Sequence, residues 1–148
     1  SIGIDVGWAM SRAMLPSTLA YIEGMEQLYS DGNHAKALGA SFGLEHMAIT
    51  MWDHLIPGLT SLKTTRYPSM DLTYFTFHRE LESTHEDAME HAVEAVESAS
   101  HTGMSEQDKN DFRCGARTVL GYLEAFWMGL DRTRSSRGAE YASHHRAA

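Results

Sequence analysis

Apolar residues recur three and four positions apart almost throughout this chain, and only three prolines, Pro16, Pro57 and Pro68, interrupt the pattern. That spacing builds helices with one apolar stripe, and no stretch alternates convincingly as a half-buried strand would. The predicted fold class is therefore all-α. Pro16 opens a helix to about Ser30, because proline suits the first turn. Asp31-Gly32-Asn33 makes a turn. A second helix runs from about His34 to Ile56 and ends before Pro57-Gly58, leaving a loop over residues 57–68. A third runs from about Ser69 to Ser100, where His101-Thr102-Gly103 breaks it. Ser105-Glu106-Gln107-Asp108 has the form of a capping box and starts a last helix to about Thr133. Residues 4–14 read as a further helical stretch. The expectation is one domain over residues 1–133 and a flexible tail over 134–148.

Composition narrows the function classes. The 148 residues are enough for a core, and 43% of them are apolar. A net charge of −8 argues against general nucleic-acid binding and against docking on anionic membranes. No apolar run approaches the ~18 residues of a membrane span, and no signal peptide is visible. One cysteine, Cys114, excludes an internal disulfide framework and suits a reducing, cytoplasmic location. Falling among Phe112, Ala116 and Val119, it reads as a small hydrophobe. No phosphate-cradling glycine loop, dinucleotide fingerprint or Ser-His-Asp set is present.

The chemistry shows in helical phase. With each residue turning about 100°, Glu82 lies about +40° and His85 about −20° from His78. The apolar residues Tyr74, Phe75, Leu81, Met89, Ala92, Val93 and Val96 surround that same direction, whereas Glu80, Asp87, Glu90 and Glu94 cluster at the opposite pole. His78, Glu82 and His85 therefore sit within a buried stripe. On the preceding helix Glu45 is centred among Leu38, Phe42, Ala48, Ile49, Trp52 and Ile56, while His46, Asp53 and His54 lie off the stripe. A lone buried charge costs several kcal/mol, on the order of a whole core side chain, unless it is paired or bound to a metal. A hydrogen-bonded His–Glu network would satisfy any one of these residues. Four together at ligand spacing favour a metal. Glu82-Ser83-Thr84-His85 is also an E-x-x-H, the spacing that sets a carboxylate and an imidazole on one metal face in dimetal-carboxylate bundles. Mixed carboxylates and imidazoles suit iron or manganese better than structural zinc.

The run DLTYFTFHRELESTHEDAMEHA resembles the final ligand helix of the haem-oxygenase-like non-haem diiron oxidases and oxygenases. That helix carries His-x3-Asp/Glu-x2-His, matched by His78, Glu82 and His85. The stretch LPSTLAYIEGMEQLYSDGNHAKALGASFGLEHMAITMWDHLIPGL is similar to the preceding part of the family, with its buried glutamate matched by Glu45. YLEAFWMGLDRT resembles the closing helix. The likeness covers most of residues 15–133 and implies a helical bundle of the haem-oxygenase-like type that lacks its N-terminal helices. Two departures stand out. Glu82 occupies a position more often aspartate, and the upstream helix that carries a further Glu and His in the family has no counterpart here. The expectation is therefore the C-terminal part of a longer domain, with a separate N-terminal chain segment as one source of the missing donors.

The resemblance implies O2 activation at a non-haem iron centre, with two Fe(II) per complete site and Mn as the other candidate. It implies a small amino-acid-, fatty-acid- or aromatic-acid-like substrate and a homodimer. Glu45, His78, Glu82 and His85 would hold the metal. Trp52, Tyr74, Phe75 and Met89 would wall the pocket with Phe126 or Trp127, and Asp71 or a backbone carbonyl would orient a ligand histidine. Three other readings stand beside this one. A thiaminase-II-like hydrolase would need a cysteine nucleophile, and Cys114 is on the last helix. A ferritin-like store would want a second E-x-x-H. A non-catalytic interaction module would merely pair its buried polar residues.

Overall fold

The computed structural model describes residues 5, 7, 10–99 and 103–146, with side chains through residue 135. Four helices and no strand occur among them: α1 (Pro16–Ser30), α2 (His34–Thr65), α3 (Thr73–Ala99) and α4 (Glu106–Arg146). The all-α expectation is met. Of the stretch expected to be helical over residues 4–14, residues 4, 6, 8 and 9 lie outside the described residues; Gly7 and Met10 are helical, with the Ser11 N–H donating to the Gly7 carbonyl (3.0 Å), and residues 13–15 are not helical.

Local chemistry explains most of the boundaries. Pro16 occupies the first turn of α1. Between α1 and α2, Gly32 takes φ +79°, a left-handed conformation that glycine adopts without steric cost. Asn33 donates its backbone N–H to Asp31 Oδ1 (2.8 Å), and its side chain then caps α2 by accepting the Lys36 N–H (3.0 Å). The same side chain donates through Nδ2 to Asp111 Oδ2 on α4 (2.9 Å). Asn33→Ala is expected to lower stability by about 1–2 kcal/mol through loss of the cap, read as a shifted urea midpoint. Ser105 and Asp108 form a reciprocal cap at α4: the Asp108 N–H donates to Ser105 Oγ (3.1 Å), and the Ser105 hydroxyl donates to Asp108 Oδ2 (2.7 Å).

Three boundaries differ from expectation. α2 does not stop at Ile56 but passes through Pro57 to Thr65. Proline removes one helical donor, yet Asp53, whose carbonyl loses it, lies with Pro57 and Gly58 on the exposed side, where water replaces the bond. Beyond the proline, the hydroxyls of Thr60, Thr64 and Thr65 each donate to the carbonyl four residues back. α3 starts at Thr73 rather than Ser69, because Asp71 caps it: Asp71 Oδ1 accepts both the Thr73 N–H (2.9 Å) and the Thr73 hydroxyl (2.7 Å). α4 does not end near Thr133, since its backbone stays helical to Arg146 with no proline to stop it.

α2 is the hub. It packs against α4, α3 and α1, while α3 touches only α2 among the described residues. α2 and α4 run side by side in the same direction and approach backbone to backbone. A Cβ on Gly39 would overlap the Phe112 carbonyl, and one on Gly115 would overlap the Lys36 carbonyl. Ala40 and Val119 are fully buried at this crossing, and Leu28 of α1 joins them. α3 runs antiparallel to α2, and an exposed Arg79–Asp53 pair ties the two through Nε–Oδ1 (2.6 Å) and Nη2–Oδ2 (3.1 Å).

That pair gives a pH signature. Arg79 holds the Asp53 carboxyl below its usual range. A carboxyl depressed on folding stabilises the folded state above its unfolded pKa of about 3.9, and the gain is lost as pH falls further, through the folded value. Asp53→Asn is expected to lower the melting temperature at pH 7 and to leave it unchanged at pH 2, with the neutral-pH difference reduced by salt.

Candidate metal centre

Glu45 of α2 and Glu82 and His85 of α3 meet where the two helices face each other. One ligand atom from each lies within 4.8 Å of the other two, and no other such group of three gathers among the described residues. His85 Nδ1 is 3.4 Å from Glu45 Oε2 and 3.6 Å from Glu82 Oε2. The i,i+3 spacing of Glu82 and His85 stacks them on one helix face, and antiparallel packing brings Glu45 opposite.

Glu82 is the most deeply placed, at 4% exposure, and is the one charged or polar residue among the buried described residues. Its Oε1 accepts from Trp52 Nε1 at 2.6 Å. Its Oε2 is buried without a hydrogen-bond partner. A buried partnerless carboxylate oxygen is costly, and this one points at a second carboxylate and an imidazole. A cation between the three would satisfy Glu82 Oε2 and join the donors that otherwise only face one another. Two carboxylates and a nitrogen suit iron or manganese, so the residues fit the metal that their spacing implies.

His78 lines the same cavity, of about 300 Å³, but stands outside the close group of three. Its Nδ1 is 2.8 Å from the Tyr74 carbonyl oxygen. With Nδ1–H donating there, Nε2 carries the lone pair for a metal. The orienting partner is thus a backbone carbonyl. Asp71, the other candidate for that role, instead spends its Oδ1 on the α3 cap.

The expected wall residues divide. Trp52 lines the cavity and holds Glu82. Phe75 does not line it but packs edge-on against Trp52 at 6.1 Å. Tyr74 is 60% exposed and lies over His78 with ring centroids 4.0 Å apart. Met89, half-buried one turn beyond His85, is not part of the lining. The wall comes instead from Tyr21, Leu44, Met47, Met51 and Leu123, on the other three helices. Burial and the neighbouring Tyr29 push the Tyr21 phenol above its ordinary range. Phe126 is not part of the lining but packs against Tyr21, with ring centroids 5.4 Å apart.

His46, off the apolar stripe by phase, meets α3 on its flank. Its Nε2 is 3.7 Å from Glu86 and 3.6 Å from Glu90, and its ring stacks on Phe42. Phase alone missed this contact, because it does not show how far α3 wraps α2. Cys114 is exposed, with its Sγ 3.9 Å from Thr118 Oγ1, and is no part of the cavity, which leaves a cysteine hydrolase without its nucleophile there.

No described helix is long and apolar enough to cross a membrane. Comparison with curated proteins and with solved structures returns no match. The model of one protein family, described as iron-containing redox enzyme, matches residues 1–120, a span that holds Glu45, His78, Glu82 and His85. A match over that much of the sequence, with helices as the only regular elements among the described residues and a buried carboxylate facing a second carboxylate and an imidazole, places the chain in the family of iron-containing redox enzymes.

Proposed function

We propose that this chain is a non-haem iron oxidase or oxygenase that uses O2 to oxidise a small organic metabolite. The observation that carries the reading is the convergence of Glu45, Glu82 and His85 around a buried carboxylate oxygen that has no other partner. These three would hold one iron. His78, from the same cavity, would reach a second, whose remaining donors lie beyond those gathered among the described residues. Bound iron supplies the one-electron redox chemistry by which dioxygen is reduced.

The protein's own groups have defined tasks. Trp52 fixes Glu82 through Oε1, which leaves Oε2 aimed at the metal position. The Tyr74 carbonyl sets the His78 tautomer. Leu44, Met47, Met51 and Leu123 give the cavity an apolar wall beside the metal position. Tyr21 holds a proton at its phenol oxygen beside the cavity.

The test mixes anaerobically Fe(II)-loaded protein with O2, with and without a panel of amines, amino acids, fatty acids and aromatic acids. A substrate-dependent absorption transient and O2 uptake are expected, slowed more than about 100-fold in His85→Ala, since even partners of ligands are worth 10- to 100-fold. Equal O2 uptake by the parent and His85→Ala would overturn the assignment.

A further inference from the structure

We propose that a second cavity beside the iron site binds the substrate, and that the substrate is an apolar amine. This space, of about 540 Å³, is a solvent-open groove between α2 and α4. Its apolar walls are Met47, Met51, Leu55, Leu120, Leu123 and Trp127. Three of these, Met47, Met51 and Leu123, also wall the iron cavity. Those side chains are shared between the two linings. Methionine is unbranched and repacks at low cost, so rotation of Met47 and Met51 joins one cavity to the other.

Charge selects the polar end of the ligand. Thr50, His54 and Glu124 are the polar lining residues, and Glu124 is the one carboxylate among them. His54 Nδ1 is already 2.7 Å from the Thr50 carbonyl oxygen. No lysine or arginine among the described residues lines the cavity. A carboxylate-ended molecule would bring a second negative charge to Glu124 with no cation to offset it, in a chain whose net charge is −8. An ammonium group instead gains a charge-assisted hydrogen bond. Glu124 and His54 are exposed while Leu123 is buried. The amine therefore sits at the solvent rim, and the apolar body reaches inward toward the iron.

Binding at this cavity stands by itself; calling the bound molecule a substrate rests on the iron reading. The experiment titrates the whole metal-free chain with n-octylamine and, separately, octanoate by calorimetry, and counts iron in the same proteins. Octylamine is expected to bind at least about tenfold tighter than octanoate. Glu124→Gln, a surface change, is expected to erase that preference, and Leu120→Trp, which fills the cavity, to remove binding. Equal or tighter binding of octanoate, a preference that survives Glu124→Gln, or binding of neither compound would overturn the proposal. Iron bound without octylamine would sink the cavity assignment alone. Octylamine bound without iron would sink the iron reading, and with it the role as substrate.

Discussion

Glu82→Gln is expected to abolish iron binding and to leave the metal-free chain more stable than the parent by about 1 kcal/mol. The two effects share one cause. In the parent, Glu82 Oε1 is satisfied by Trp52, and the buried Oε2 has no hydrogen-bond partner. Glutamine keeps the acceptor for Trp52 and puts an NH2 group where Oε2 was. That group faces Glu45 Oε2 and His85 Nδ1, both able to accept from it. The substitution thus satisfies the pocket internally and removes an anionic ligand. Iron affinity is expected to fall more than about 100-fold. Thermal unfolding without metal and equilibrium dialysis with Fe(II) read the two halves separately. If Glu82 served only a structural His–Glu pair, the same change would lower stability, because it removes the charge that such a pair needs.

The largest loss of stability is expected at Gly39. α2 and α4 cross with Gly39 against the Phe112 backbone and Gly115 against the Lys36 backbone. Backbone cannot rotate away as a side-chain end can, so Gly39→Ala must push the helices apart. That separation would loosen Ala40 and Val119, both fully buried in the crossing. Alanine favours an isolated helix by about 1 kcal/mol over glycine, yet the overpacking costs more, and a net loss on the order of 3 kcal/mol is expected. Gly58→Ala is the control. Nothing lies within 4 Å of its added Cβ, and it should be neutral or stabilising. A matched pair of urea titrations decides it. Equal effects at both positions would remove the close crossing from the account.

These glycines also mark where reading the sequence stops. Helical phase shows which way a side chain points along one helix, and that was enough to bring Glu45, Glu82 and His85 together from two helices. It carries no information on the distance to a neighbouring backbone, so the tight contact of Gly39 with α4 left no trace in the apolar pattern. Asp71 shows a second limit. Its phase relative to His78 has meaning only if both belong to one helix, and α3 begins at Thr73, after the Asp71 cap. Tyr74, Phe75 and Met89 do lie near the inward direction. Among the described residues, however, α3 packs only against α2, and the cavity wall comes from α1, α2 and α4. Pro57 reads as a stop because proline forfeits a donor, but the carbonyl it leaves unpaired lies on an exposed helix face, open to water.

The central claim is that Glu45, Glu82 and His85 together hold iron. The most direct measurement loads the chain anaerobically with Fe(II), removes free metal and counts iron per folded chain in the parent, Glu45→Ala, Glu82→Gln and His85→Ala. The account predicts about one tightly held iron from these donors in the parent. It predicts none in any of the three variants, with far-UV circular dichroism unchanged. A parent that binds no iron, or variants that retain as much as the parent, would contradict it.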